Sequence, residues 1–249
     1  MQDTCIVIPA RLKSTRFPRK PLVKILGKSM IIRVAEIANK IISKKHIYIA
    51  TDSIEIESLV VKSGFNCIQT NSRAITGTDR VAIASKRLNY KFIINIQGDE
   101  PLIDPKDIEK CISIKKRYPN YVINGYCFIG ENEKPSSVNI PKLVTNTDND
   151  LIYISRSLIP GMKEKSIVNS IKYKKQVCIY AFTKNQLEEF HNLGRKSTLE
   201  EIEDIEIIRF LDLNIKVKMY QCNSGSLAVD IPSDVYNVEK ELLKREQDK

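Results

Sequence analysis

Phe92-Ile93-Ile94-Asn95-Ile96-Gln97-Gly98-Asp99-Glu100-Pro101 joins a short apolar run to a glycine, two acids and a proline. The run from Tyr90 to Ile96 is brief and β-branched, and Gly98 and Pro101 close it, so it predicts a buried strand that ends in a tight turn. In open α/β sheets the crevice beyond the carboxyl ends of the strands holds the ligand. Asp99 is therefore expected to project a carboxylate into that crevice. A lone acid after a strand is more often a turn residue or a helix cap, so a second signal is needed.

The N-terminus supplies it. Cys5-Ile6-Val7-Ile8 reads as a strand, and a long basic loop follows from Pro9 to Leu22. Arg11, Lys13, Arg16, Arg19 and Lys20 fall within ten positions of this loop. Such density suits a polyphosphate, because guanidinium groups fork onto phosphate oxygens and ammonium groups act as point charges. A solvated basic turn or a nucleic-acid patch is the competing reading. Neither a Gly-x-x-x-x-Gly-Lys-Ser/Thr loop nor a Gly-x-Gly-x-x-Gly fingerprint occurs, which removes the P-loop and dinucleotide signatures.

Strand-like and helix-like segments alternate outward from there. Strands are predicted at 4–8, 47–50, 66–69, 92–96, 121–128, 142–145, 177–182 and 215–221. Helices are predicted at 30–42, 54–63, 79–88, 105–116, 184–193, 198–213 and 233–244. Alternation in the first half implies right-handed βαβ crossovers and a parallel sheet. The longer strand-like stretches of the second half point to a mixed sheet or a small antiparallel arm. With no repeat and no low-complexity linker, residues 1–249 read as one α/β domain, its last residues, 244–249, fraying.

At this point the chain resembles the 3-deoxy-manno-octulosonate cytidylyltransferases, or CMP-Kdo synthetases. The resemblance covers nearly the whole chain. It is carried by Ile8-Pro9-Ala10-Arg11 with Ser14-Thr15-Arg16, Lys20-Pro21-Leu22, Ala50-Thr51-Asp52, Gly77-Thr78-Asp79-Arg80, Asn95 to Pro101, Ser155-Arg156, Ile179-Tyr180-Ala181, Leu199-Glu200 with Glu203 and Glu206, and Val229-Asp230. Pro-Ala-Arg alone is shared by many sugar nucleotidyltransferases; the ordered set is far more specific.

The resemblance implies a Rossmann-like, nucleotide-diphospho-sugar transferase-like sheet, mixed but mainly parallel and flanked by helices, with a small antiparallel dimerisation arm. It implies transfer of CMP from CTP to the anomeric hydroxyl of a 3-deoxy-2-keto sugar acid, Kdo or a close relative, with release of pyrophosphate, for lipopolysaccharide or capsule synthesis. Mg²⁺ is the implied cofactor, held by Asp99 and Asp230, and Arg11 and Lys20 join them as catalytic residues. The implied nucleotide site comprises Pro9, Ala10, Arg11, Arg16, Lys20, Thr76, Gly77, Arg80 and Gln97, with cytosine near Ala10 and the turn at 77–80. Gln97, Arg156, Gln176, Tyr180 and Glu206 fall on the sugar side. A homodimer is implied too, with residues 121–160 as a candidate surface.

Composition agrees. A chain of 249 residues, 42% hydrophobic and 28% charged, can bury a substantial core. No apolar stretch reaches membrane-spanning length and Asp3 precedes an immediate strand, so neither a membrane span nor a signal peptide is expected, and the expected compartment is the cytoplasm. The six cysteines form no Cys-x-x-Cys pair and read as buried free thiols. The net charge of +10 raises nucleic-acid binding, but there is no Trp and aromatics are 7%, so no stacking platform for single strands is evident. A nucleotide explains the N-terminal cluster more economically.

CTP and a sugar acid repel each other until cations screen them, so transfer depends on positioning and electrostatic stabilisation. His46 and His191 lie outside every motif and read as structural or surface residues, and Glu200 and Glu203, with Glu206, as a mostly exposed acidic helix face. The sugar side departs from the family pattern. Gln176 stands where the family usually has His, Cys178 where it has Gly, Ile207 where it has Gln, and Ala74 replaces the His before the Gly77-Thr78-Asp79-Arg80 turn. These changes alter which hydroxyls find partners, so a modified acceptor such as 8-amino-8-deoxy Kdo, or another nonulosonic acid, is the alternative to Kdo. More remote readings are a nucleotidyltransferase using another nucleotide and a non-catalytic nucleotide- or nucleic-acid-binding protein.

Overall fold

The chain forms, in order, β1 (Thr4–Ala10), β2 (Lys24–Ile25), β3 (Lys28–Ser29), α1 (Met30–Asn39), β4 (Ile47–Thr51), α2 (Ile54–Lys62), β5 (Asn66–Gln69), α3 (Gly77–Ser85), β6 (Phe92–Ile96), α4 (Pro105–Arg117), β7 (Val122–Phe128), β8 (Lys142–Thr145), β9 (Leu151–Ser155), β10 (Lys174–Thr183), α5 (Lys184–Asn192), α6 (Thr198–Glu203), α7 (Ile208–Asp212), β11 (Val217–Gln221) and α8 (Pro232–Gln247). This computed structural model describes residues 3–13, 16–131, 133–163, 172–223 and 227–247.

β1 and β6 are buried at every residue, as expected of strands covered on both faces. β1 pairs in parallel with β4 on one side and β6 on the other, and β4 pairs in parallel with β5. The chain thus steps outward from β1 through β4 to β5, then returns to the far side of β1. That reversal is a topological switch point, and a crevice opens there beyond the strand ends. The full order is β11-β7-β10-β6-β1-β4-β5. β10 runs antiparallel to both β6 and β7, while β11 is parallel to β7.

Helices cover both faces. Ile31, Val34, Ala35 and Ala38 of α1, Ile56 and Val60 of α2, and Ile108, Cys111 and Ile112 of α4 fill one core. Val81 and Ala84 of α3, Leu187 and Phe190 of α5, and Ile208 and Phe210 of α7 fill the other. A third, smaller cluster of Ile25, Met30, Leu102, Val229 and Val238 seats α8 beside the β2–β3 ribbon, with Phe17 of the basic loop against it.

The mixed, mainly parallel sheet matches expectation, and the antiparallel arm is the β8–β9 hairpin, joined to β10 through β8. Several details differ. Neither β9 nor the short β2–β3 ribbon has a predicted counterpart, and α1 ends at Asn39, three residues before the predicted end. α3 begins two residues early, at Gly77, because the Thr76 hydroxyl caps it. The helix predicted over 198–213 is two helices, broken at Asp204, which adopts a left-handed backbone with φ 49°. Consequently the acidic face dissolves: Glu200 is fully buried, and Glu203 and Glu206 are half-buried among backbone donors.

Candidate active site at the carboxyl ends of β1 and β6

The turn after β6 is tight enough to favour glycine. A Cβ on Gly98 would lie 3.0 Å from the Pro9 carbonyl oxygen and 3.1 Å from Ile31 Cδ1, so the ends of β1 and β6 close up because that atom is missing. Asp99 then emerges beside the chain segment that carries Asp230, whose neighbour Val229 donates its N–H to the Asp99 carbonyl at 3.0 Å. Asp234, in the first turn of α8, accepts from the N–H groups of Asp230 and Ile231 at 2.8 and 2.9 Å. Two distant stretches are thereby held so that their carboxylates converge.

Lys20 sits between them. Its Nζ is 2.5 Å from Asp99 Oδ2 and 3.6 Å from Asp230 Oδ1, and Arg16 Nη2 approaches Asp230 Oδ1 at 3.5 Å. The Lys20 side chain is 16% exposed while that of Asp230 is 42% exposed, so the cluster is sheltered at its root and open to the crevice. Arg11 and Lys13 are exposed on the same loop, and Arg19 turns away to pair with Glu55 of α2. Ser14 and Thr15 lie outside the described residues.

A cation lodged between two carboxylates tests what this spot accepts. Mg²⁺ takes oxygen ligands and commonly uses one or two protein carboxylates with substrate oxygens and water. The pair Asp99 and Asp230 fits that donor set. Among the described residues no group of three or more His, Cys, Asp or Glu side chains could hold a metal unaided, so such an ion would be completed by substrate.

Across the crevice stands the N-terminus of α3. Glu206 accepts from the N–H groups of Gly77 at 3.0 Å and Thr78 at 2.8 Å, which places a carboxylate where the helix dipole is positive. Burial pushes the Glu206 carboxyl up, against the lowering effect of those hydrogen bonds. Gln97 lies against Gly77, where an added Cβ would come within 3.0 Å of its amide. Pro9 and Ala10 end β1 on the other side of the switch point. The Thr76 hydroxyl is used in capping Asp79, and the buried Arg80 braces Thr70 at 2.5 Å and Asp52 at 3.2 Å. Behind them Arg209, fully buried, joins Glu200 through two 2.6 Å bonds and Asp79 at 3.2 Å. His191 binds Asp79, and His46 binds Tyr90, which leaves both histidines as structural groups.

The remaining residues expected on the sugar side lie on or next to β10 and β9. Tyr180 is buried and stacks on Phe182, and burial pushes its hydroxyl well up. Gln176 donates to Asn124 Oδ1 at 2.9 Å. The Arg156 guanidinium reaches backbone carbonyls of Glu203, Asp204 and Val138, while Glu203 accepts from Ser155 Oγ at 2.6 Å and Arg156 N at 2.8 Å. Arg156 thus ties the end of β9 to the end of α6. Ile207 is in the core and Ala74 is half-buried.

The structure therefore brings Lys20, Arg16, Asp99 and Asp230 into one cluster and Gly77, Gln97 and Glu206 into a second. Sequence reasoning passed over Asn124, Arg209 and the shielding of Glu203; a polar Asn inside the apolar run Val122-Ile123-Asn124 was the available signal. Asn95, fully buried on β6, has no hydrogen-bond partner for either amide atom among the described residues.

Comparison with known proteins agrees with this geometry. Residues 5–221 match the cytidylyltransferase family. The 8-amino-3,8-dideoxy-manno-octulosonate cytidylyltransferase of Shewanella baltica (strain OS185) is 35% identical over 248 residues, covering 96% of this chain and 98% of the relative. The protein of that name from Shewanella oneidensis is 36% identical with the same coverage. A solved CMP:2-keto-3-deoxy-manno-octonic acid synthetase complexed with CTP superposes with a TM-score of 0.88 at 31% identity, covering 97% of this chain and 99% of that one. A cytidylyltransferase from Leptospira borgpetersenii shares the fold, with a TM-score of 0.63 at 14% identity.

Proposed function

We propose that this chain, which belongs to the 3-deoxy-manno-octulosonate cytidylyltransferase (CMP-Kdo synthetase) family, transfers CMP from CTP to the anomeric hydroxyl of a Kdo-type sugar acid and releases pyrophosphate. The observation that carries the reading is the convergence of Lys20, Asp99 and Asp230 at the switch point of the sheet. Lys20 and Arg11, with Arg16, hold the triphosphate, since phosphate oxygens compete with the carboxylates for the same cations. Backbone groups of Pro9 and Ala10, and Gly77, whose missing side chain leaves room for Gln97 and Glu206, meet the cytosine edge at the turn that Thr76 caps and Arg80 braces, and Gln97 reaches the ribose and the acceptor.

Asp99 and Asp230 would hold Mg²⁺, which when bound would supply charge neutralisation for the triphosphate and the departing pyrophosphate. Tyr180, Gln176, Arg156 and Glu206 form the acceptor wall, Arg156 and Glu206 chiefly by fixing the ends of β9, α6 and α3. Two observations favour an 8-amino acceptor over Kdo itself. Relatives at 35–36% identity carry that name, and Gln176, Ile207 and Ala74 depart from the family pattern on that side. A cytoplasmic homodimer serving lipopolysaccharide or capsule synthesis completes the proposal; among the described residues no helix is long and apolar enough to cross a membrane.

Pyrophosphate release from CTP and Mg²⁺ tests it, with Kdo, 8-amino Kdo and a sialic acid side by side and Asp99→Ala as the blank. Faster turnover of 8-amino Kdo is expected. Full activity with Kdo alone overturns the acceptor assignment, and no release with any of the three overturns the activity.

A further inference from the structure

β10 is irregular where it passes the crevice. Its pairing with β7 runs in register from Lys174 to Val177, opposite Phe128 to Gly125, and resumes at Tyr180 opposite Asn124. Three steps on β10 therefore answer one on β7, and Cys178 and Ile179 form a bulge. Bulges beside active sites re-aim side chains. Cys178 is partly exposed while Val177, Ile179 and Tyr180 on either side are buried.

The bulge is fastened from three directions. Asn124, fully buried, donates its amide to the Val177 carbonyl at 3.0 Å and the Ile179 carbonyl at 2.9 Å, the two that flank Cys178. Its own carbonyl accepts from Gln176 at 2.9 Å. On the other edge the Cys178 carbonyl accepts from Gln97 N at 3.2 Å, which pins the bulge to the turn that carries Asp99. Space for Ile179 exists because residue 125 is glycine; a Cβ there would lie 2.7 Å from Cys222 Sγ and 3.0 Å from Ile179 Cγ2. Cys178 packs against the edge of the core that holds Tyr180 and Phe182, its thiol bonds the Tyr180 hydroxyl, and burial pushes that thiol well up, while its partial exposure leaves it within reach of the crevice.

We infer that this bulge selects the acceptor: Cys178 is a specificity-determining residue that meets the sugar acid, and Asn124 is a positioning residue that aims it, with Gln176 acting through Asn124. The inference rests on the proposed transfer reaction and adds the group that discriminates among sugar acids. A buried amide that satisfies three polar groups of one bulge holds its shape against the entropy of the extra residues.

Steady-state kinetics with CTP, Mg²⁺ and either Kdo or 8-amino Kdo test it in the full-length enzyme. Asn124→Leu is expected to raise the sugar KM by about tenfold while the CTP KM stays within about twofold. Gln176→Leu should act in the same direction, and the double variant should cost no more than Asn124→Leu alone, because both act on one bulge. Cys178→Gly is expected to change the ratio of kcat/KM between the two sugars by about fivefold or more. A residue with a merely structural role would lower the melting temperature and the active fraction and leave the KM values where they were. Should Asn124→Leu fail to fold, Gln176→Leu and Cys178→Gly decide: an unmoved sugar KM in the first and an unmoved sugar ratio in the second overturn the inference. Additive effects of Asn124 and Gln176 overturn the positioning role. Absence of transfer by the unmodified enzyme to both sugars overturns the reaction and the inference with it, whereas transfer with unmoved ratios overturns the inference alone.

Discussion

Lys20 shows how one residue can serve two states of the same site. A basic loop was legible in the sequence, and so was the acid after β6, but nothing in their spacing said that the ammonium would lie 2.5 Å from Asp99 and also face Asp230. That contact depends on the glycine-permitted closure of two strand ends and on α8 holding Asp230, both remote in sequence. Two carboxylates at one point repel, and Lys20 offsets that repulsion; in the proposed reaction a divalent cation would compete with it for the pair. Lys20→Met should therefore have opposite effects on two measurements. Transfer should fall sharply, because the triphosphate loses a point charge. Divalent binding to the nucleotide-free protein should tighten, by about tenfold, because the internal cation no longer competes. Titration of Mn²⁺ followed calorimetrically, without CTP, reads the second effect. Weaker Mn²⁺ binding in the variant would show that Lys20 supports the carboxylate pair and does not compete for it.

At the scale of elements, what was legible follows from local chemistry, and what was not follows from side chains that reach across elements. Cys5 to Ile8 and Phe92 to Ile96 are buried on both faces, so their apolar runs announced strands. The break at Asp204 was illegible, since it exists to let Glu206 reach α3 while Glu200 meets Arg209 from the preceding turn. The junction of α4 with α5 is similar. Lys115, fully buried near the end of α4, donates to the carbonyls of Pro119 and Tyr121 at 2.9 and 2.6 Å and to Gln186 Oε1 at 2.8 Å. That same Gln186 side chain completes the capping box of α5. Burial pulls the Lys115 ammonium down from 10.5 to about 7. Between those two values the unfolded chain holds a proton that the folded chain has released, so this group makes stability rise with pH across that window. Below about 7 both states are charged and the cost of burying the charge is complete. Lys115→Met takes one donor away from each of three acceptors, of which Gln186 Oε1 keeps the Thr183 N–H, and that penalty does not vary with pH. The difference in unfolding free energy between wild type and variant should therefore grow by about 2 kcal/mol from pH 7 to pH 9, read from urea midpoints. Parallel changes in the two proteins would mean that Lys115 keeps its ordinary proton affinity.

For the whole molecule, the first half was legible as a parallel unit because its crossovers are local, whereas the reversed β10 and the attachment of β11 to β7 join segments far apart in sequence. The crevice lies where these two parts of one sheet meet, with Gln97 on β6's end bonded to Cys178 of β10. A ligand seated there touches both parts and must stabilise the fold as a unit. The net charge of +10 complicates any such measurement, since a basic protein attracts polyanions of every kind. Specific and general binding separate by base and by salt. A ligand bound to the folded state at a hundred times its Kd adds about 2.7 kcal/mol of stability, a shift of a few degrees for a chain of this size. CTP with Mg²⁺ should produce that shift at physiological salt and keep most of it at twice that ionic strength, because Lys20 and the turn at 77–80 are sheltered from screening. ATP and inorganic triphosphate should give a smaller shift that collapses over the same range. Equal shifts for CTP and ATP, fading together as salt rises, would mean that the crevice reads charge and not the pyrimidine, and the cytidylyl specificity would then have to arise at the chemical step.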